Sequence, residues 1–523
     1  MLRYATFALT LALTLGSLIL GAVVSRHFLW PLLPLAPLAA IGVWDLVQRP
    51  HSLLRNYPIL AHMRWLFEGI RPEIRQYLIE SDQDAAPFDR EQRSLVYQRA
   101  KGTVDRTPFG TLDDLYADGA HWLNHSIRPA PVAEMPFRVE IGGPDSSKPY
   151  SSSLLNVSAM SYGSLSANAV RALNLGARQG GFAHDTGEGG ISAYHREFGG
   201  DLIWEIGTGY FGCRRDDGGF DPEMFAEEAA REQVRMVEIK LSQGAKPGHG
   251  GVLPGAKVTP EIAAARRLPM GRDCISPAAH GAFATPIEMM RFIATLRDAA
   301  GGKPVGFKLC IGHRFEFLAL CKAMLETGIR PDFIVVDGAE GGTGAAPLEF
   351  SDHIGTPLAD GLRFVRDALV GTGLRDEIRI GASGKIISAA DIARTISLGA
   401  DWCNAARGFM FALGCIQSRS CHTNRCPVGV ATQDRWRQRA LVVADKADRV
   451  RNFHHNTLET LAEVVAAAGL ASPSDFRPWH FQERRAASLP EPLSPGELLD
   501  GTDRPDFAQA WCLARPDSFA PDA

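Results

Sequence analysis

The sequence predicts an α/β chain: a (β/α)8 TIM barrel carried behind an N-terminal two-helix transmembrane hairpin and a helical linker. Three observations carry this prediction. Residues 5–24 and 28–44 are apolar stretches without a charged side chain. From about residue 150, short apolar runs alternate with helical patterns, the rhythm of a parallel sheet. Polar residues end many of those runs, where the C-terminal mouth of a closed barrel would lie. The expected organisation is a hairpin over 1–48, a helical linker region over 49–134, the barrel over 135–470 and a Pro-rich tail over 471–523.

The first segment, ATFALTLALTLGSLILGAVV, has the length of a spanning helix. The second, FLWPLLPLAPLAAIGVW, is shorter and interrupted by Pro31, Pro34 and Pro37. A cleaved signal peptide is the alternative. Against it, the first segment is long, lacks an A-x-A site, and is followed at once by a second apolar segment. Arg3 precedes the pair, Arg26 alone lies between, and Arg49, Arg55 and Arg64 follow. The positive-inside bias then places both ends in the cytoplasm. The expected location is therefore a membrane, with the catalytic domain on the cytoplasmic side. Residues 52–110 read as helical and polar, linking anchor to barrel.

Composition narrows the function classes. A net charge of −4, with no basic stripe and no helix–turn–helix or zinc-finger spacing, argues against nucleic acid. Nine cysteines in 523 residues are better read as thiols or metal ligands than as a disulfide framework. The 52 glycines cluster after apolar runs, as in GEGG, GGTG and GASG, where backbone approaches a ligand closely.

The candidate strands are LLNVSAMS (154–161), GFAHDTG (181–187), LIWEIGTG (202–209), MVEIKLSQG (236–244), DCISPAA (273–279), VGFKLC (305–310), DFIVVDG (332–338), EIRIGASG (377–384) and DWCNAARG (401–408). That is one too many for eight places, so LIWEIGTG or DCISPAA is expected to be a loop. Helical patterns such as SANAVRALNLGARQ and SAADIARTISLG lie between. A doubly wound sheet is the alternative, but no GxGxxG follows the first run.

A barrel would bring Glu188, Gln243, Lys246, Lys308, Asp337 and Lys385 to one mouth. Its last loops, GASGK (381–385) and ARG (406–408), with GAEGGTGAAP (338–347) before them, could cradle a phosphate on backbone N–H groups. Any one of these alone could be an ordinary tight turn. The stretch GCIQSRSCHTNRCPVG (414–429) adds three clustered cysteines, Cys415, Cys421 and Cys426. A zinc site or inert thiols would be the plain alternative.

KPGHGGVLPGAKV (246–258), DGAEGGTGAAPL (337–348) and GCIQSRSCHTNRCPVGVATQD (414–434) resemble the synthase domain of the glutamate synthase large subunit. The resemblance covers roughly residues 135–470. The hairpin and linker resemble the short FMN-binding glutamate-synthase-like branch. The resemblance implies FMN across the barrel mouth and a 3Fe-4S cluster held by Cys415, Cys421 and Cys426. It implies flavin contacts from Met160, Ser161, Gln243 and Lys308, and phosphate contacts from Gly341, Gly342, Thr343, Gly344, Ser383, Gly384, Lys385, Arg407 and Gly408. Glu188 and Lys246 would be catalytic and touch substrate, with Arg266 or Arg267 as a carboxylate clamp.

The sequence departs from the family's KPGEGGQLPG, with His249 for the Glu and Val252 for the Gln. The substrate is thereby put in doubt. No cysteine precedes Cys213, so the family's N-terminal-cysteine glutaminase is not expected in this chain. The expected activity is formation of glutamate from 2-oxoglutarate and ammonia released elsewhere, for instance by a separate amidotransferase. A ferredoxin or reductase subunit would supply electrons. The alternatives are a membrane-linked dehydrogenase of another amino acid or N-substituted amino acid, or a non-catalytic flavin and iron–sulfur relay.

Overall fold

The computed structural model describes residues 2–83, 86–106, 108–117, 119–266, 268–484, 493–500 and 505–517. The chain divides into two compact units, Met1–Arg90 and Glu91–Ala523.

In the first unit, Ala5–Val23 and Arg26–Val47 are each long and apolar enough to cross a membrane. They lie close because small residues face bulky ones. A Cβ on Gly21 would fall 2.2 Å from Leu29 Cδ2, and one on Gly42 2.2 Å from Phe7 Cδ2. The second segment opens as a 3-10 turn, Arg26–Leu29, and continues as the α-helix Leu32–Val47. Pro31 and Pro34 sit at its start, where a missing N–H costs little, and Pro37 is accommodated inside it. The helices Ser52–Asn56 and His62–Ile74 follow, the latter ending in a wider turn, Arg75–Ile79.

The second unit begins within the helix Arg90–Lys101. The helical reading of the linker stops there: the described residues from Gly102 to Ala120 form turns and irregular chain.

The body is a closed barrel of eight parallel strands: Leu155–Val157, His184–Asp185, Leu202–Ile206, Val234–Lys240, Val305–Leu309, Phe333–Asp337, Arg379–Ser383 and Trp402–Ala405. LIWEIGTG is thus a true barrel strand, buried at each position from Leu202 to Ile206. DCISPAA is the intruder: Cys274–Ile275 pairs antiparallel with Val252–Leu253 outside the barrel. Strands covered on both faces are expected to be near-continuously apolar, which is why these runs were legible.

The hairpin Arg138–Ile141 and Tyr150–Ser153 contributes Ile141 and Tyr150 to one apolar cluster with Ala183, Ile203, Met236, Phe333, Val335 and Trp402. Glycines make room for its large rings. A Cβ on Gly381 would meet Trp402 at 2.4 Å, and one on Gly306 would lie 2.6 Å from Phe333. Outside the barrel, the helix Val443–Ala467 lies on Ala167–Gly180, with Val450 against Gly176. The described part of the tail packs on the body. Phe481–Glu483 pairs with His121–Leu123, Leu498 covers Gly371, and Phe507 lies 5.3 Å from Phe364.

Candidate active site at the barrel mouth

Glu188 follows the strand His184–Asp185, and Lys240 ends the strand Val234–Lys240. Their side chains meet at 3.0 Å. Lys240 also donates to the Gln243 carbonyl at 2.6 Å. Glu188, Lys240, Gln243 and Lys246 line one cavity with Thr208, Ser242 and the loop glycines Gly248 and Gly250. Two further glycines leave the slot for the Glu188 carboxylate: a Cβ on Gly251 would fall 2.4 Å from Oε1, and one on Gly207 3.0 Å from Oε2.

Burial alone would raise the Glu188 carboxyl, but Lys240, Lys246 and Arg266 outweigh it and hold it below the ordinary carboxylate range. Glu188 is therefore an anion at neutral pH. Lys246, itself buried, has its ammonium held below the ordinary lysine range: burial lowers it, Glu188 opposes this and Lys240 adds to it.

Inside the barrel, Lys308 is bonded to Glu205, lies 2.8 Å from Glu238 and 3.9 Å from Asp185. All four are buried. Burial raises the Glu238 carboxyl to about 7, with Lys308 pulling it down and Glu205 pushing it up. Three carboxylates around one ammonium cannot all ionise in such a site without large cost.

The glycine loops converge beside this layer. Gly338 N–H donates to Ser383 O at 2.8 Å, and Gly244 N–H to Asp337 Oδ2 at 2.7 Å. The Arg407 guanidinium lies directly on Gly342, where a Cβ would fall 1.0 Å from Nη2. Lys385 takes φ of 53°, the left-handed backbone of a tight turn. Met160 and Ser161 abut Gly187, whose Cβ would come within 2.5 Å of Ser161 N.

Cys415, Cys421 and Cys426 are free thiols in one charge environment. Arg407 is electrostatically coupled to Cys421 and Cys415, and Lys257 to Cys421 and Cys426. Lys257 is buried and donates to Ser164 O at 2.9 Å. The Cβ position of Gly344 is 3.4 Å from Cys421 Cβ, so the thiol loop borders the glycine loop. Soft sulfur donors beside the buried Lys257 and the half-buried Arg407 suit a group that brings negative charge, as an iron–sulfur cluster does. The glycine-lined approach to Arg407 likewise suits a phosphate.

The sequence prediction thus brings Glu188, Gln243 and Lys246 into one cavity, and Gly342, Gly344, Arg407 and Cys421 into one neighbourhood. Arg266 is near Glu188, but its guanidinium donates to Tyr162 O at 3.1 Å and lies 5.0 Å from the Phe211 ring centroid. Arg267 lies outside the described residues. Sequence reasoning missed Lys240, Glu205, Glu238 and Asp185. Their signal was present: a charged residue inside an otherwise apolar strand, as in MVEIK and LIWEI, has to point into a polar interior layer.

Fold and mouth together define a (β/α)8-barrel protein with its charged groups gathered at the strand C-termini. Residues 145–471 match the conserved region in glutamate synthase. A glutamate synthase large subunit-like protein of Bacillus subtilis, YerD, is 38% identical over 87% of this chain and 94% of its own length. The archaeal-type glutamate synthase [NADPH] of Thermotoga neapolitana is 36% identical over 61% of this chain and 60% of its own. Among solved structures, a mandelate oxidase mutant with a monooxide FMN adduct aligns at 14% identity and a TM-score of 0.41, over 81% of this chain and 99% of that one. The chain belongs to the glutamate synthase family, and it spans three fifths of the archaeal-type relative.

Proposed function

We propose that this chain is a membrane-anchored oxidoreductase that holds FMN and a 3Fe-4S cluster and reduces the imine of a 2-oxo acid to an amino acid. The best candidate reaction forms glutamate from 2-oxoglutarate and ammonia that this chain does not generate. One observation carries the reading: an anionic Glu188 beside Lys240 and Lys246 in a cavity ringed by glycine loops.

The residues proposed to hold FMN are Met160, Ser161, Gln243, Lys308, Gly341–Gly344, Ser383–Lys385, Arg407 and Gly408. Bound there, reduced flavin would supply hydride to a carbon. Cys415, Cys421 and Cys426 are the proposed ligands of the cluster, fed by a ferredoxin or a reductase subunit. The chain's own groups do the rest. Lys246 pairs with a carboxylate of the oxo acid. Glu188, anionic and held by Lys240, takes a proton from the incoming ammonium and returns one as the carbonyl oxygen leaves as water. The glycine walls at Gly207 and Gly251 keep that carboxylate in one orientation.

The test is anaerobic purification in detergent, stepwise reduction followed by flavin absorbance and iron EPR, then addition of 2-oxoglutarate and ammonia. Reoxidation of the flavin with glutamate formed is the expected outcome. A reduced flavin that stays reduced overturns this substrate.

A second reading is favoured by His249. It stands where the family has Glu, its ring lies 4.9 Å from Phe350, and its Nδ1 is buried without a hydrogen-bond partner. An imidazole there favours a substrate whose distal group differs from that of 2-oxoglutarate, and a dehydrogenase passing electrons outward fits an anchored chain. Bleaching of the oxidised flavin by an amino acid or N-substituted amino acid, absent with glutamate, would establish it.

A further inference from the structure

The helix His62–Ile74 gathers its apolar side chains on one face, apart from Trp65, which lies against His51 and His62. Met63, Leu66, Phe67 and Ile70 fall at i, i+3, i+4 and i+7, with Ile74 one turn on, an apolar sector about 100° wide. The first four are between 41% and 55% exposed. Beyond the helix, Leu78 and Ile79 are 79% and 71% exposed. Beside this stripe runs a basic one, with Arg64, Arg71 and Arg75 at i, i+7 and i+11. The two stripes border a groove lined by Phe67, Ile74 and Ile79 on one side and the three arginines with Glu68 on the other. Arg64 and Arg75 reach Glu68 and Glu80, at 2.8 and 3.2 Å. Among the described residues Arg71 forms no ion pair.

A contiguous exposed apolar stripe with a charged rim marks an interaction surface. What covers it is argued from its tether. Asp45, fully buried in the last turn of the second apolar helix, accepts from the Ile59 N–H at 2.8 Å and lies 2.9 Å from His62 Nε2. The start of the amphipathic helix is thereby pinned to the end of the hairpin, where a spanning helix meets water. From Arg49 to Arg75 the segment carries five arginines and two glutamates, complementary to an anionic leaflet.

We propose that His62–Ile74 is an in-plane helix that binds the surface of an anionic bilayer, with its apolar stripe in the acyl boundary and Arg64, Arg71 and Arg75 on lipid phosphates. This rests on the membrane-anchored reading. It adds a lipid-headgroup site to that reading and ties attachment to bilayer composition.

The test uses the full chain in nanodiscs of phosphatidylcholine alone or mixed with phosphatidylglycerol. Amide exchange of residues 62–79 is the readout, with barrel peptides as the internal control of folding. Slower exchange only in the anionic discs, reversed by high salt and by the triple variant Arg64→Gln, Arg71→Gln, Arg75→Gln, is expected. Affinity for anionic vesicles should fall about fivefold for each arginine removed. Equal exchange in both discs, indifferent to salt and to the variant, overturns the proposal. Protection that rises with protein concentration rather than with lipid charge points to a second copy on the stripe and overturns it too. Failure of the anchor itself reads differently. The chain would then leave membranes at alkaline pH, while flotation on anionic vesicles, lost in the triple variant, would still support the helix. Flotation unchanged by the variant would sink it.

Discussion

Glu188 and Lys240 meet at 3.0 Å across the barrel mouth, with no room for a side chain at Gly251 above them. The lysine does more than neutralise the acid. It fixes the carboxylate in a half-buried site where an unpaired anion would be costly, and so keeps it charged. Glu188→Gln keeps the shape and removes the charge. It should lower kcat by on the order of a hundredfold or more while leaving flavin content unchanged. Turnover by wild type and variant at matched flavin absorbance is the check.

Gly251→Ala probes the same pair through sterics. Its Cβ would stand 2.4 Å from Glu188 Oε1, far inside contact distance. The carboxylate has to swing off Lys240 or the loop has to move. The expected result is a raised substrate KM together with a lower kcat and a normal flavin spectrum. Wild-type kinetics would show that the loop relaxes freely and that the glycine is not needed for the pairing.

How far this site could be read from sequence depends on the residue. The strands were legible because burial on both faces makes them apolar, and Glu188, Gln243 and Lys246 because they follow strand ends. The intruding run could not be told from a barrel strand by composition: LIWEI and DCISP are both short, and only tertiary pairing separates them. Lys240, Glu205 and Glu238 were passed over because a charge within an apolar run reads as an exception. In a closed barrel, alternate residues face a filled interior, and that interior here is polar in one layer. Lys308 shows the limit most clearly: its position at a strand end was legible, its commitment to Glu205 and Glu238 was not.

Gly342→Ala tests the phosphate cradle. The Arg407 guanidinium occupies the space a Cβ would need, so the variant displaces the arginine from the loop. Purified protein should carry substoichiometric FMN that added FMN restores only at high concentration. The flavin-to-protein absorbance ratio reads this directly, and full occupancy would remove Arg407 from the proposed phosphate site.

Cys421→Ser separates the two proposed groups. Burial pushes the Cys421 thiol up and Lys257 and Arg407 pull it down, while Gly344 borders its Cβ. Losing one of three thiolates should abolish the three-iron EPR signal and electron entry from a donor protein. Flavin should be retained, because the glycine loop needs no sulfur. Photoreduction of the bound flavin followed by substrate would then still give one turnover. Loss of flavin along with iron would mean that the loops fold only around the cluster.

Acid sensitivity follows from buried histidines. Burial lowers His184 to about 3, His454 to about 3 and His280 to about 4. Each is neutral in the fold but titrates near 6.5 once unfolded. The unfolded chain therefore binds more protons below pH 6.5. The stability these groups contribute is fully present above pH 6.5 and is lost as pH falls toward their folded values, at about 1.4 kcal/mol per pH unit for each. His454 lies 2.9 Å from Ser153 Oγ and stacks on Phe182 with centroids 4.0 Å apart, so its ring cannot reach water to charge. Unfolding midpoints of the barrel, followed by tryptophan fluorescence between pH 7.5 and 5, should fall steeply. His454→Gln should be less stable than wild type at pH 7.5, yet lose less on acidification, by the share of one histidine. Parallel pH profiles for wild type and variant would remove His454 from the acid sensitivity; the cluster around Lys308 cannot replace it, because Glu238, raised to about 7, takes up its proton in the fold and gains stability as pH falls.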